Sequence, residues 1–286
     1  MDHKLTGWGS GFLGVLIFSG SLPATRVAVA DFAPLFLTSA RAVIAALLGL
    51  LCLLALRQTR PDRRDLGALA VVALGVVIGF PLLTALALQS IPAARSIVFI
   101  GLLPLATAIF GVIRGGERPK PAFWLFSLLG AATVSGFAWS QGAGGALRGD
   151  LLMLAAIVIC GLGYAEGATL SRRLGGWQVI SWALLIALPA MAGLAMLTWP
   201  ETLSTVSGPG WIGLGYVALF SMMLGFVFWY RGLALGGISQ VGQLQLLQPF
   251  FGLLLAALLL NEPIAWQMVA CTGITVLCVA GAKRFA

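Results

Sequence analysis

Four glutamines, Gln240, Gln243, Gln245 and Gln248, stand in the stretch GISQVGQLQLLQPFFGLLLAALLLNEP, which is otherwise largely apolar. A carboxamide carries two donors and an acceptor oxygen, and a polar group left unpaired in hydrocarbon costs several kcal/mol. The stretch can carry that load. Between Ile238 and Leu260 there are 13 Leu, Ile, Val or Phe residues, which favour insertion by at most about 4 to 8 kcal/mol. At about 100° per residue, with Gln240 at zero, Gln243 falls near 300°, Gln248 near 80° and Gln245 near 140°. All four then share one broad helical face centred near Leu244, which must look at other helices or at water. Interhelical hydrogen bonds, at about 0.6 to 2 kcal/mol each, account for any one of the amides. A wet path for a small solute accounts for the set.

Two ionisable residues fall inside apolar runs, Arg41 in TSARAVIAAL and Glu166 in GLGYAEGATL, and intramembrane charges are functional candidates by default. Arg41 either holds a substrate carboxylate or has a structural or gating role, paired with Glu166 or with helix-end carbonyls. Glu166 is the one carboxylate placed to exchange a proton within a span, or else it snorkels to the surface. Without an acid at the midplane, facilitated or weakly coupled movement is expected rather than proton coupling. Pro104 and Pro249 lack an N–H, so the carbonyls of Ile100 and Gln245 lose their helical donors; each proline is then a hinge or a packing kink. Phe80, Thr84, Phe99 and Tyr164 complete the expected path. Enzyme chemistry has no foothold: His3 is the sole histidine, no acids cluster in a span, and neither a metal nor a cofactor is expected.

The elements that must position these residues follow from composition. The chain has 286 residues, 60% hydrophobic and 9% charged, with mean hydropathy +1.02, which describes an integral membrane protein. Its apolar runs of about 20 residues read as helices, near 7–28, 32–56, 66–89, 92–114, 121–140, 150–171, 176–199, 209–231, 238–260 and 264–283. The formal charge of +8 serves topology and calls for no nucleic acid. Alternate connections carry 13 Lys or Arg on one side and 3 (Arg26, Arg95, Arg148) on the other. The positive-inside rule therefore puts both termini in the cytoplasm of a multi-pass protein of the cytoplasmic (inner) membrane. The N-terminal run imitates a signal peptide ending at AVAD, but Arg26 crowds that site, so the run is expected to stay. Cys52, Cys160, Cys271 and Cys278 sit in apolar runs as small hydrophobes. Gly75/Gly79, Gly163/Gly167 and Gly232/Gly236 would permit close helix contact, and Trp8, Trp124, Trp177, Trp199, Trp211 and Trp266 suit the membrane interface.

An internal repeat organises the spans. Pro104 precedes Glu117 by 13 residues and Pro249 precedes Glu262 by 13, the two copies being 145 residues apart, while QGAGGALRGD separates the halves. The expected fold is therefore all-α, ten transmembrane helices in two five-helix repeats, 1–145 and 146–286. An odd number of spans per repeat inverts the second copy, as in secondary transporters with a site at the repeat interface. Under the offset, Gln240, Leu244 and Gln248 correspond to Arg95, Phe99 and Leu103. One half brings amides and the other an aromatic and aliphatic wall.

With GGERP after the fourth span and LNEP after the ninth, the chain resembles the EamA-type branch of the drug/metabolite transporter superfamily. It is most similar there to YddG-type amino acid exporters. The resemblance implies a small-molecule substrate, amino acids or similar metabolites, exported by alternating access, with the lipid bilayer as the other partner and a monomer as an adequate unit. Three tyrosines, Tyr164, Tyr216 and Tyr230, are few for an aromatic cargo and favour small or mixed amino acids. The alternative in the same fold is a multidrug or organic cation exporter, which needs a buried acid that only Glu166 offers.

Overall fold

The computed structural model describes residues 3–140, 147–260 and 265–285, and every regular element among them is a helix. Most of the Gly-rich linker, and Glu262 with Pro263 of the second repeat marker, lie outside the described residues. In chain order the helices are α1 (Leu5–Asp31), α2 (Pro34–Ala55), α3 (Arg63–Ala87), α4 (Ala93–Ile100), α5 (Leu103–Gly115) and α6 (Pro121–Ser140). They continue as α7 (Leu147–Leu174), α8 (Gly176–Leu197), α9 (Gly208–Gly236), α10 (Ile238–Leu260) and α11 (Trp266–Lys283). Among the described residues, α1, α2, α3, α7, α8, α9 and α10 are each long and apolar enough to cross a membrane, and α5, α6 and α11 contribute shorter apolar helices. The protein is thus an all-α, polytopic membrane protein. Leu51, Leu128, Ile212, Leu258 and Leu277 point outward, as lipid contact requires.

Local chemistry explains the joints. Gly175 (φ 91°) alone links α7 to α8, and Gly237 (φ 92°) alone links α9 to α10. With ψ of 147° and 143° both lie where only glycine is at ease, which permits a reversal in a single residue. The two prolines differ from expectation. Pro104 stands in the first turn of α5, after a break at Gly101 and Leu102, and Pro249 stands second in the α-helical segment Gln248–Leu260, after a 3₁₀ turn at Gln243–Leu247. A missing N–H is harmless in a first turn. Each proline therefore opens a segment after an irregularity rather than kinking a continuous helix. The Gln245 carbonyl loses its i+4 donor as expected, yet it accepts the Gln248 N–H through the tighter 3₁₀ turn. That lone pair is not left for a ligand.

Packing runs mainly between the halves of the chain. The N-terminal part of α1 lies along the end of α9, α3 along α7, α2 along α8, α6 along α11, and α4 and α5 meet α10. Glycines set the closest approaches. A Cβ on Gly232 would lie 2.7 Å from the Gly11 Cα, and one on Gly75 would lie 3.0 Å from the Gly163 Cα. Of the small residues noted in the sequence, Gly75, Gly79, Gly163, Gly232 and Gly236 therefore sit at crossings of the first half with the second, whereas Gly167 faces Tyr230 of its own half. Two π-helical stretches, Ala73–Gly79 in α3 and Tyr216–Leu224 in α9, interrupt the otherwise regular spans. Such turns are costly in a plain packing helix and are frequent at functional sites.

Gly232→Ala drives a methyl into the α1 backbone, which cannot swing aside, and should destabilise by about 1–3 kcal/mol. Gly9→Ala, with open space around its Cβ position, should be neutral or slightly stabilising. Unfolding temperatures of the two purified variants in detergent check the pair.

Candidate functional site

Seven helices, α1, α2, α3, α5, α7, α9 and α10, converge on an interior cavity of about 20 Å³, room for about one water. Arg41 of α2, Gln248 of α10, Ser21 of α1 and Ser221 of α9 supply its polar atoms, together with the Tyr164 phenol from α7. Phe18, Leu22, Val76, Phe80, Leu103 and Phe226 make the apolar wall. The rings hold one another: Phe18 and Phe226 lie 5.0 Å apart, Tyr164 and Phe226 5.9 Å, and Tyr164 and Trp229 5.5 Å. Mutual edge and face contacts of this kind lock rotamers around the polar centre.

Arg41 is only 5% exposed. Its Nη2 is 3.4 Å from the Ser221 Oγ, at the limit of hydrogen bonding, and its Nε has no protein partner. No carboxylate among the described residues pairs with it. A buried cation lacking a counter-charge is strongly unfavourable, and at a bilayer midplane even the lenient insertion scale assigns about 2.5–3.5 kcal/mol to it. Ser221 lies within the π-helical stretch of α9, which packs against α2, so that irregular turn helps to carry the hydroxyl beside the guanidinium. Ser21 donates to Ser221 at 2.7 Å.

Of the expected path residues, the structure brings Phe80, Tyr164, Arg41 and Gln248 to the cavity. It separates the glutamines. A 3₁₀ turn advances about 120° per residue rather than about 100°, so Gln243–Leu247 rotates Gln248 away from the face of Gln240. Gln240 borders a surface hollow of about 340 Å³ beside Glu117 and Ser239. Gln243 and Gln245 are buried, with the Oε1 of Gln243 and both amide atoms of Gln245 lacking protein partners. Leu244 packs over Gly11 and Phe99 is core. Thr84 is buried, and its hydroxyl turns back to the carbonyls of Phe80 and Pro81, at 2.8 and 3.0 Å. Ser21, Ser221, Phe18 and Phe226 were missed, because the sequence does not set these serines and phenylalanines apart from the many others in greasy spans.

Glu166 does not reach Arg41. Arg114, at the end of α5, holds it in a bidentate pair with bonds of 2.7 and 3.1 Å. Arg173 pairs with Asp65 at 2.5 Å, and Arg95 with Asp150 through bonds of 2.9 and 2.7 Å. Glu117, noted in the sequence only as a repeat marker, accepts the N–H groups of Ile238 and Ser239 at 2.8 Å each, and the Ser239 hydroxyl as well. Arg172 stands 3.7 Å from the same carboxylate. A carboxylate on the first two free N–H groups of α10 satisfies orphan donors and the helix dipole together. It ties the loop after α5 to the start of α10.

The EamA-like transporter family model matches residues 5–139 and again 147–282. The chain belongs to the EamA-like transporter family. Among EamA-like relatives, the uncharacterized transporter YdeK of Bacillus subtilis (strain 168) is 63% identical over 286 residues, covering 100% of both chains. A probable terminal-alkyne amino-acid exporter of Streptantibioticus cattleyicolor is 27% identical, over 83% of this chain and 80% of the other. A protein of known crystal structure matches with a TM-score of 0.76 at 21% identity, over 98% of this chain and 99% of that one, which shows a shared fold. This EamA-like protein is a transporter and not an enzyme.

Glu117→Ala should destabilise by about 1–3 kcal/mol, since it strands two helix N–H groups, and Glu117→Gln should recover part of the loss. Melting temperatures of the two variants, with hydrogen exchange at the start of α10, read the effect.

Proposed function

We propose that this protein exports amino acids or similar small carboxylate metabolites across the cytoplasmic (inner) membrane, with both termini in the cytoplasm. Export proceeds by alternating access around the cavity, facilitated or weakly coupled, with two inverted five-helix repeats, 1–145 and 146–286, as the framework. Arg41 carries this reading. A guanidinium buried among aromatic rings without a carboxylate partner is satisfied by an anionic group that comes and goes. The same charge disfavours an organic cation, since bringing a second positive charge to Arg41 adds repulsion that no lining acid offsets. The relative named for amino-acid export supports the choice of cargo.

The repeat reading is supported by pairs 145 residues apart. Leu103 and Gln248 both line the cavity, as do Val76 and Ser221. The π-helical stretches Ala73–Gly79 and Tyr216–Leu224 overlap under the same shift, and the family model matches each half. Exchange of the halves turns the contact of α1 with α9 into that of α7 with α3. The bodies that rock are therefore not the sequence halves but two mixed groups, α3, α5 and α7 against α1, α9 and α10, each joined by close glycine crossings. Gln245 and Gln243, buried with unpaired amide atoms, and Gln240 at the surface hollow mark the polar route that opens along α10.

Counterflow over the twenty amino acids in proteoliposomes tests this. The wild type should move a subset of them, Arg41→Ala should lose about tenfold or more in rate at equal insertion, and Gln245→Leu should slow exchange. Quaternary amines moving while amino acids do not, or Arg41→Ala matching the parent, would overturn it.

A further inference from the structure

Unpaired donors and a lone acceptor both belong to side chains that line the cavity. Gln248 is 6% exposed, and its Nε2 donates to the Phe18 carbonyl at 3.3 Å. A carbonyl can only accept, so this bond fixes which way the amide points, and its Oε1 is left without a protein partner. Ser221 receives one bond from Ser21 and one from Arg41, which occupies its lone pairs and leaves its own proton to give. Arg41 Nε is a free donor in the same cavity. At the position matching Gln248 in the other half stands Leu103, so packing at this point has no need of an amide.

We infer that Gln248 reads the α-ammonium of the cargo while Arg41 and Ser221 read its carboxylate, so that this site selects a zwitterion over the corresponding deaminated acid or the corresponding ester. This rests on the transporter reading above and adds a specificity-determining residue to it. A simple carboxylate satisfies Arg41 but leaves the Gln248 Oε1 buried and unpaired, and a site built to bond a group rejects the analogue that lacks it. An ester removes the anion and sets an ammonium against Arg41. When the cavity widens around a cargo, its apolar wall suits a hydrocarbon side chain, and its lining residues carry no further charge with which to hold an acidic or basic one.

Three related solutes separate the terms: leucine, its deaminated acid 4-methylpentanoate and leucine methyl ester, each competing with labelled leucine in counterflow by the full chain in liposomes. Should labelled leucine not be a cargo, the small amino acid that is moved best replaces it, with its own deaminated acid and ester. The parent should prefer the zwitterion to the deaminated acid by about tenfold or more, the equivalent of one charge-assisted bond. Gln248→Leu should still fold and exchange while losing that preference to within about twofold, and Gln248→Asn should retain part of it. Arg41→Lys should weaken zwitterion and deaminated acid alike, leaving their ratio near that of the parent. An unchanged ratio in Gln248→Leu overturns the role of Gln248 while the transporter reading stands. If the parent moves no amino acid at all, both fall.

Discussion

A polar group inside a bilayer has no solvent to return to, and the architecture of this protein is organised by that constraint. Backbone groups are satisfied within helices, and where the helices turn abruptly, at Gly175 and Gly237, the reversal takes a single residue. Several side-chain charges nearer the helix ends are paired: Arg114 with Glu166, Arg173 with Asp65 and Arg95 with Asp150. Against that background Arg41, among the described residues the buried guanidinium without a carboxylate, stands apart. Its environment is arranged by rings and hydroxyls from several helices, none of which neutralises it.

The irregular segments lie beside the cavity. The 3₁₀ turn before Pro249, the break before Pro104 and the two π-helical stretches all adjoin residues that line the cavity. A regular helix resists local rotation because every carbonyl is committed four residues ahead. At these segments the hydrogen-bond register changes, so a side chain such as Gln248 or Ser221 can be reoriented without unravelling a span. Glycine crossings hold the neighbouring segments rigid, with α1 close on α9 and α3 close on α7. Stiff contacts between groups of helices and soft segments beside the cavity together suit a motion of whole bodies around a small centre.

The Glu117 contact shows how a loop residue joins elements distant in the sequence. Its carboxylate binds the start of α10 and lies near Arg172 at the end of α7. Two helices and one loop thus meet on a single charged group. The helix so anchored carries Gln240, Gln243, Gln245 and Gln248, on either side of and within its 3₁₀ turn.

Composition and apolar run length alone determined an all-helical membrane protein, because hydrocarbon leaves a chain few ways to satisfy its backbone. Most of the expected spans have boundaries within a few residues of a helix, and 238–260 coincides with α10, but the single span expected at 92–114 is divided into α4 and α5 by the break at Gly101 and Leu102. The spacing of Pro104 with Glu117 and of Pro249 with Glu262 pointed to the 145-residue correspondence, since prolines and acids are rare enough in such a chain to carry a register where leucine cannot. The site was only partly legible. Arg41, Gln248, Phe80 and Tyr164 stood out as charge, amide and rings in greasy spans. A uniform helical wheel could not see the 3₁₀ turn that parts Gln248 from Gln240. Nor could it give Glu166 to Arg114 rather than Arg41, or bring Ser21 and Ser221 together from 200 residues apart. Those outcomes belong to the tertiary structure, because periodicity fixes which way a residue faces along its own helix and only the packing of helices decides what it meets.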